Sequence, residues 1–278
     1  VGEAKNDYDI FAGIARRMDT EDSFTEGRSA EDWQKWIWEQ SCERAAKLNV
    51  QMPDYESFRE AGFYKSPDLK EDRIFLSDFF EDPDKNPLKT PSGKIEIFSD
   101  TIDSFNYNDC PGHPTGMEPD EWLGAEEKAY PLHLISNQPK TKLHSQMDNG
   151  TLSSSIKIKG HQPLEMNPDD AKSRGITQGD IVRVFNGRGS CLCGVNITAD
   201  VMPGVVIIST GSWYDPAEPN DPKSMCKHGN PNVLSPDIGT SKLGQGPAAH
   251  SCLTEIEIYD GPVQDITAFN PPEIIEKK

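Results

Sequence analysis

The sequence predicts an α+β chain, mainly β in its second half, in which a helical and loop-rich segment precedes a compact β-barrel. Apolar residues recur at helical spacing in the first half. Five short runs rich in β-branched and apolar residues, bounded by turn residues, occupy the second half. The charge also changes, from 30 acidic and 15 basic side chains over 1–130 to 16 and 13 over 131–278. We therefore predict two domains, 1–128 and 129–278.

The first predicted helix begins after Asn6 or Asp7, since either side chain can cap a helix N-terminus. The apolar side chains that follow fall on one face of that helix at the expected spacing. They are Tyr8, Phe11, Ile14, Ala15 and Met18. We expect this face to be buried.

A longer helix is predicted over 29–48, with Ser29 as its cap. Trp33, Trp36 and Ile37 mark the side that we expect to be buried, because grouped tryptophans serve core packing more often than cofactor binding. A shorter third helix is predicted to end at Gly62, a residue type that favours helix C-termini.

The segment between these helices and the barrel is predicted to be largely irregular. Residues 64–93 are dense in proline, aspartate and lysine, and 107–124 have the composition of an ordered loop. The alternating "GKIEIF" at 93–98 predicts an isolated strand. We place the domain boundary near 125–130.

The second half contains the barrel strands. The "NGRG" at 186–189 is a strong hairpin signal between two of them. A short helix is predicted from its cap Asn167, its first-turn Pro168 and its terminal Gly175. Cys191 and Cys193 have strand spacing, so both thiols point to one face as small core side chains. The predicted strands are 132–136, 180–186, 190–198, 204–210 and 252–259.

Charge and cysteine spacing exclude several function classes. The net charge of -18 makes nucleic acid and anionic membranes poor partners, because both require a basic surface. No apolar run approaches the roughly 20 residues of a membrane-spanning helix. The six cysteines form no Cys-x-x-Cys pair, which argues against a zinc or iron–sulfur site. The chain opens without methionine, so we expect a piece of a longer or processed protein.

One stretch of this acidic chain is unusually rich in neutral hydrogen-bonding side chains. "HLISNQPKTKLHSQMDNG", at 133–150, holds two of the six histidines, two glutamines and two asparagines. Asparagine and glutamine offer both donors and acceptors. Such groups are costly to bury without partners, so their density predicts an external polar ligand.

Several motifs, in order, carry a family resemblance. They include "HLISNQPKTKLHSQ" at 133–146, "MNPDDAKSRGITQGDIVRVFNGRG" at 166–189 and "KHGNPNVLSPDIGTSKLGQG" at 227–246. With these, the chain resembles the C-terminal part of the molybdopterin N-/S-oxide reductases, which reduce trimethylamine N-oxide, dimethyl sulfoxide or biotin sulfoxide. The second motif alone is shared more widely, with formate dehydrogenases and nitrate reductases, whereas the third points to the N-/S-oxide branch.

The resemblance implies both a fold and a cofactor. Residues 131–262 are expected to form the molybdopterin guanine dinucleotide-binding domain, a six-stranded double-psi-type β-barrel, and 1–125 the tail of the preceding catalytic domains. In the family, molybdenum is held by two pterin dithiolenes and a serine from the N-terminal part, which nothing here matches. No catalytic residue and no metal ligand are therefore assigned, and the chain alone is expected to be inactive.

The resemblance also implies the cofactor contacts. Amides suit the pterin edges, hydroxyl and imidazole groups suit ring or phosphate oxygens, and Asp237 can accept from guanine. The predicted cofactor-binding residues are Ser136, Asn137, Gln138, His144, Ser145, Gln146, Asn232, Asp237 and His250.

Structural alternatives exist for these polar residues and their neighbours. His144 could be a satisfied core histidine, and Asp237 could merely cap the segment after it. His133 is interpreted as structural. Phosphate contact is the alternative for the lysines of these motifs, which are interpreted as solvated: Lys140, Lys142 and Lys242.

The function implied is the cofactor-binding portion of a molybdenum oxidoreductase that removes oxygen from an N-oxide or S-oxide, with trimethylamine N-oxide favoured. Its partners would be the remaining domains of the enzyme, an electron donor such as a cytochrome, and the small oxide. The periplasm is favoured and the cytoplasm is possible. The alternatives are a stand-alone pterin dinucleotide-binding module, a barrel that binds no cofactor, or a piece of another molybdopterin enzyme.

Overall fold

The computed structural model describes residues 2–67, 74–272 and 274. Its contacts divide the chain into two units, with the division between Lys94 and Ile95. The domain boundary predicted near 125–130 from composition stays a prediction. Each unit is described by itself below.

The first unit is helical, as predicted. Ser29 caps α3 through a capping box, in which its hydroxyl accepts from the Asp32 amide and the Asp32 carboxylate accepts from the Ser29 amide. Helix α4 ends at Gly62, whose φ of 76° is the left-handed conformation that glycine adopts without strain. The helices of this unit are α1 (Asp7–Arg17), α2 (Glu21–Thr25), α3 (Ala30–Lys47), α4 (Tyr55–Ala61) and α5 (Ser77–Glu81).

The predicted buried faces of α1 and α3 are wrong for most of their residues. Phe11 is 58% exposed and Ile37 is 55% exposed. Ala15 is the buried residue of α1 within the described chain. Periodicity identifies the apolar face of a helix, but the packing partner decides whether that face is buried. Trp36 is also exposed, and the guanidinium of Arg28 lies 5.3 Å from its ring centroid.

The strand predicted at 93–98 is wrong. Residues 93–98 adopt bends and irregular backbone, and Ile95 and Ile97 are 64% and 80% exposed. In the described part of the chain this segment pairs with no strand, and an alternating pattern forms a strand only where a neighbour completes its hydrogen bonds. A short helix, α6 (Asp100–Asp103), follows it.

The second unit contains the barrel and confirms the five predicted strands, with one more between them. The missed strand, β2, has the sequence "PLEM", in which proline and a charged residue hide the β signal. The predicted helix at Asn167 is also confirmed. The elements are β1 (Leu132–Ile135), α7 (Thr151–Ser155), β2 (Pro163–Met166), α8 (Pro168–Ser173), β3 (Ile181–Phe185), β4 (Ser190–Ile197), β5 (Val205–Ile208), a 3₁₀ turn (Pro231–Val233) and β6 (Cys252–Ile258).

The strands close into a barrel in the order β1-β5-β2-β4-β3-β6. Strand β1 is parallel to β5, and β2 is parallel to β4, while the other neighbours are antiparallel. Parallel pairing between strands distant in sequence requires crossing connections. The predicted fold class, a six-stranded barrel after a helical segment, is confirmed.

The barrel core is apolar. The β3–β4 hairpin pairs Phe185 with Ser190, and the amide of Asn186 donates to the Gly189 carbonyl at 3.1 Å. Cys191 and Cys193 are fully buried, with their sulfurs 4.0 Å apart, which confirms them as core side chains on one face. Among the residues described, no helix is long and apolar enough to cross a membrane.

Candidate functional site

The polar stretch predicted to bind a ligand leaves the barrel at the end of β1. Asn137 joins this segment to the chain that leaves β5. Its side-chain oxygen accepts from the Ser209 hydroxyl at 2.7 Å, and its carbonyl accepts from the Thr210 amide at 2.9 Å. Because β1 and β5 are parallel neighbours, the segments after both strands start from the same end of the barrel.

The segment 143–147, which we call the donor loop, presents its side chains outward. His144, Ser145 and Gln146 are all exposed. Within the described residues, the side chains of these three make no hydrogen bond. The alternative interpretation of His144 as a core histidine is therefore wrong. Gln138 is likewise exposed and Ser136 is half-buried.

The backbone of the donor loop is nevertheless fixed. The Gln146 amide donates to the Leu143 carbonyl at 2.9 Å, and the indole of Trp213 donates to the Ser145 carbonyl at 2.8 Å. A fixed backbone that carries unsatisfied polar side chains is suited to an external ligand, because little conformational entropy remains to be lost on binding.

The backbone of Gly211 packs directly against the backbone of the donor loop at His144. A Cβ at this position would lie 1.7 Å from the carbonyl oxygen of His144, and the φ of Gly211 is +93°. Both the contact and the backbone conformation require glycine.

A group of buried polar side chains lies directly against the base of the donor loop, and we call it the charge cluster. Two of its members, Lys142 and Asp148, flank the loop in sequence and form a salt bridge of 2.7 Å, so the ion pair closes the loop. Three further side chains join them from the segment after α7, from the residue before β2 and from the segment before the 3₁₀ turn. The cluster consists of Lys142, Asp148, Lys157, Gln162 and His228.

Asp148 is the centre of the charge cluster and is fully buried. One carboxylate oxygen accepts from the ammonium groups of Lys142 and Lys157, at 2.7 and 2.8 Å, and from the Ser153 hydroxyl. The other accepts from the Trp213 amide at 3.0 Å. Burial alone would raise the pKa of Asp148, but these hydrogen bonds outweigh it and lower the pKa to about 2.

His228 is neutral in this environment. Its Nδ1 lies 3.1 Å from the Trp213 carbonyl, and its Nε2 lies 3.0 Å from the Lys157 ammonium. A carbonyl can only accept and an ammonium can only donate, so Nδ1 carries the proton. Burial, followed by the charge of Lys157, lowers the pKa of His228 to about 4.

The charge cluster carries a surplus positive charge. Two ammonium groups face one carboxylate, while Gln162 and His228 are neutral. The Gln162 oxygen accepts from Lys142 at 3.1 Å. Burial lowers the pKa of Lys157 and outweighs the raising effect of its hydrogen bond and charge pairing with Asp148.

We predict that His228 makes the fold sensitive to acid between pH 6.5 and 4. Its folded pKa of about 4 lies below the ordinary 6.5, so in this window the unfolded chain binds a proton that the folded chain does not. The stability is therefore complete above pH 6.5 and falls by about 3 kcal/mol on acidification. Urea unfolding across this range should show the loss, and His228→Gln should reduce it.

The matched control is His113→Gln, which removes an exposed histidine. An unchanged pH dependence in His228→Gln, equal to that of the control, would contradict the neutral assignment of His228.

Two orphaned polar atoms lie beside the cluster in sequence. In the described structure, the buried Thr141 hydroxyl and the buried Nε2 of His161 have no hydrogen-bond partner. The Nδ1 of His161 donates to the Lys159 carbonyl at 2.9 Å, which leaves Nε2 as an acceptor. Unsatisfied buried polar atoms cost about 1–3 kcal/mol each, and a ligand or water is the usual explanation.

The other predicted site residues lie in different settings. Asn232 is exposed in the 3₁₀ turn, where its amide donates to the Asn230 side chain. Asp237 is exposed. His250 is exposed and lines a cavity of about 810 Å³, and its carbonyl lies 2.7 Å from the Nε2 of His133. The contacts group Asn137 and 144–146 with 209–213. Among the residues that the structure describes, no hydrogen bond joins Asn232, Asp237 or His250 to this group.

Sequence reasoning missed most of the charge cluster. Lys142 was interpreted as solvated, which is wrong because its side chain is 1% exposed. Lys140 and Lys242 are exposed. The sequence predicted no role for Asp148, and Lys157 and His228 carry no local pattern. The spacing between Lys142 and Asp148, around a run of polar residues, was the available signal.

The barrel region matches a known protein family. Residues 132–253 match the family described as the molydopterin dinucleotide binding domain. The dimethyl sulfoxide/trimethylamine N-oxide reductase of Cereibacter sphaeroides is 44% identical over 273 residues, which are 98% of this chain and 33% of the relative. Trimethylamine-N-oxide reductase 1 of Escherichia coli (strain K12) is 45% identical over 268 residues, or 95% and 32%. The chain thus spans about a third of the length of these relatives.

A solved structure shows the same fold. The acetylene hydratase from Pelobacter acetylenicus superposes with a TM-score of 0.69 at 18% sequence identity, over 93% of this chain and 33% of that chain. At this identity the likeness concerns the fold alone.

Proposed function

Because residues 132–253 are a molydopterin dinucleotide-binding domain, as the sequence motifs predicted, we propose that the chain is the cofactor-binding portion of a molybdenum oxidoreductase. The cofactor would be molybdopterin guanine dinucleotide. The donor loop would bind one end of it, with Asn137 and Gln138 beside the loop.

One observation carries this proposal. The donor loop combines a fixed backbone with side chains that make no hydrogen bond within the described residues. The residues fit a pterin dinucleotide, since its ring nitrogens, amino groups and phosphates need both donors and acceptors. The orphaned atoms of Thr141 and His161 add acceptor capacity nearby.

In such an enzyme the cofactor and the chain would have different roles. The bound cofactor supplies the metal centre at which an oxide loses its oxygen. The chain supplies binding and orientation. Gln146 would pair with a pterin edge, and His144 and Ser145 would donate to ring or phosphate oxygens. Gly211 allows the close backbone packing that holds the loop in place.

The substrate we propose is an N-oxide or S-oxide, with trimethylamine N-oxide favoured. This proposal is supported by two relatives at 44% and 45% identity, both of which are named trimethylamine-N-oxide reductase 1. The partners would be the other domains of the reductase and a separate electron donor such as a cytochrome. We propose a role in anaerobic respiration and a location in the periplasm by analogy with these relatives.

The binding role predicts the effect of two substitutions. In the reductase that contains this chain, Gln146→Ala and His144→Ala should each weaken cofactor binding by about 1.5–3 kcal/mol, because each removes a hydrogen bond to a charged or polarised group. The melting temperature of the cofactor-free protein should change little, since neither side chain has a hydrogen-bond partner among the residues that the structure describes. Pterin content per chain and apo-protein melting measure the two effects.

The matched controls are Gln264→Ala and His113→Ala, which remove the same side chains at exposed positions outside the site. Full pterin retention in Gln146→Ala and His144→Ala, together with earlier melting, would show that these residues serve the fold and would overturn the proposed site.

A further inference from the structure

The surplus positive charge of the charge cluster is not explained by folding. The Lys157 side chain is 5% exposed and the Lys142 side chain is 1% exposed. Of the described residues, Asp148 provides the carboxylate within salt-bridge distance of either ammonium. A buried cation without a full counter-charge is costly. Fold stability alone would favour an apolar side chain at one of the two lysine positions.

The two lysines have different structural roles. Lys142 forms the ion pair that closes the donor loop, and it also donates to Gln162. Lys157 comes from the segment after α7, shares the same carboxylate oxygen and donates to His228. Closure of the loop therefore needs Lys142 and Asp148, while Lys157 supplies the surplus charge.

The described part of the chain compensates the surplus charge only in part. The Lys157 ammonium lies 5.4 Å from the centroid of the Phe269 ring, whose π face attracts a cation. This attraction carries no negative charge, so the cluster remains cationic. Because Lys142 and Asp148 flank the donor loop, the positive charge of the cluster lies close to the loop. The buried surroundings have a low dielectric constant, so they weaken its electric field less than water would.

We propose that Lys157 is a positioning residue that makes the donor loop selective for a diphosphate-bearing ligand over its neutral, dephosphorylated counterpart. This inference rests on the proposed function and names the part of the ligand that the loop would face. A diphosphate would supply the missing negative charge at the loop surface, while Lys157 itself stays buried and makes no direct contact.

The test compares a nucleoside diphosphate with its nucleoside on the full chain. GDP and guanosine are titrated separately into isotope-labelled protein, and the amide resonances of 143–147 are followed by NMR, which also measures weak binding. The variant is Lys157→Met, which keeps the side-chain length and leaves Asp148 and Lys142 as a balanced pair. Lys157→Arg restores the charge, and Lys159→Met removes an exposed charge two residues away.

We expect Lys157→Met to bind GDP about tenfold more weakly than the wild type and to bind guanosine equally well. Lys157→Arg and Lys159→Met should keep the wild-type preference for GDP. A thermal melt of each variant identifies loss of fold, which would weaken both ligands together.

Two results would overturn the inference. If the wild type shows GDP shifts in the donor loop and Lys157→Met keeps the same ratio of GDP to guanosine affinity, the charge of Lys157 does not select the ligand, and the proposed function stands. If neither ligand shifts the donor loop in the wild type, the proposed binding site itself fails.

Discussion

Asp148→Asn is expected to lower the free energy of unfolding of the barrel unit by about 3–5 kcal/mol, the usual cost of removing one partner from a buried ion pair. The amide keeps the size and one acceptor oxygen of the carboxylate. It removes the charge that balances Lys142 and Lys157, whose ammonium groups both lie within 2.8 Å of it. Urea denaturation followed by circular dichroism measures the loss.

The control for Asp148→Asn is Asp200→Asn, an exposed aspartate in the turn after β4, where we expect a change below about 0.5 kcal/mol. The double variant Asp148→Asn with Lys157→Met should lose less stability than the sum of the two single variants, because the second substitution removes one unpaired ammonium. Additive losses would contradict the account of Asp148 as a shared counter-ion.

Gly211→Ala is expected to destabilise the barrel unit by several kcal/mol and to displace the donor loop. The new methyl group would lie 1.7 Å from the His144 carbonyl oxygen, a distance that only backbone movement can relieve. Since that carbonyl belongs to the donor loop, ligand binding should weaken together with stability. The readouts are urea unfolding and pterin retention in the reductase that contains this chain.

Gly179→Ala is the matched control for backbone strain. Gly179 has a φ of +83°, close to the +93° of Gly211, but a Cβ there would meet nothing within 4 Å. Its substitution should cost only the left-handed strain of alanine, about 1–2 kcal/mol. Equal effects of the two substitutions would show that Gly211 is needed for its conformation alone and would contradict the contact with the donor loop.

Local signals in the sequence predicted the elements of the fold well. Ser29, Asn167 and Gly62 mark helix ends through short-range chemistry, and all three lie where predicted. Strand β2 was missed because its sequence carries proline and glutamate, and barrel closure rather than propensity makes it a strand. The strand predicted at 93–98 was wrong for the converse reason. Its sequence alternates as a strand does, but an alternating pattern does not provide a neighbouring strand to pair with.

The candidate site was predictable only at its surface. The density of amides and histidines over 136–146 predicted a polar ligand, and the structure exposes Asn137, Gln138 and 144–146. The charge cluster joins residues up to 86 positions apart in sequence, from Lys142 to His228. No local sequence pattern predicts a contact over that separation. Lysine side chains are ordinarily exposed, whereas Lys142 is buried. Only the tertiary structure reveals this burial.

The most direct test of the central claim, that the donor loop binds the dinucleotide, is amide hydrogen exchange in the cofactor-loaded and cofactor-free reductase containing this chain. We predict slower exchange over 143–147 in the loaded protein, with little change at Trp213, whose amide is already bonded to Asp148. Unchanged exchange over 143–147, with protection confined to other parts of the barrel unit, would contradict the claim.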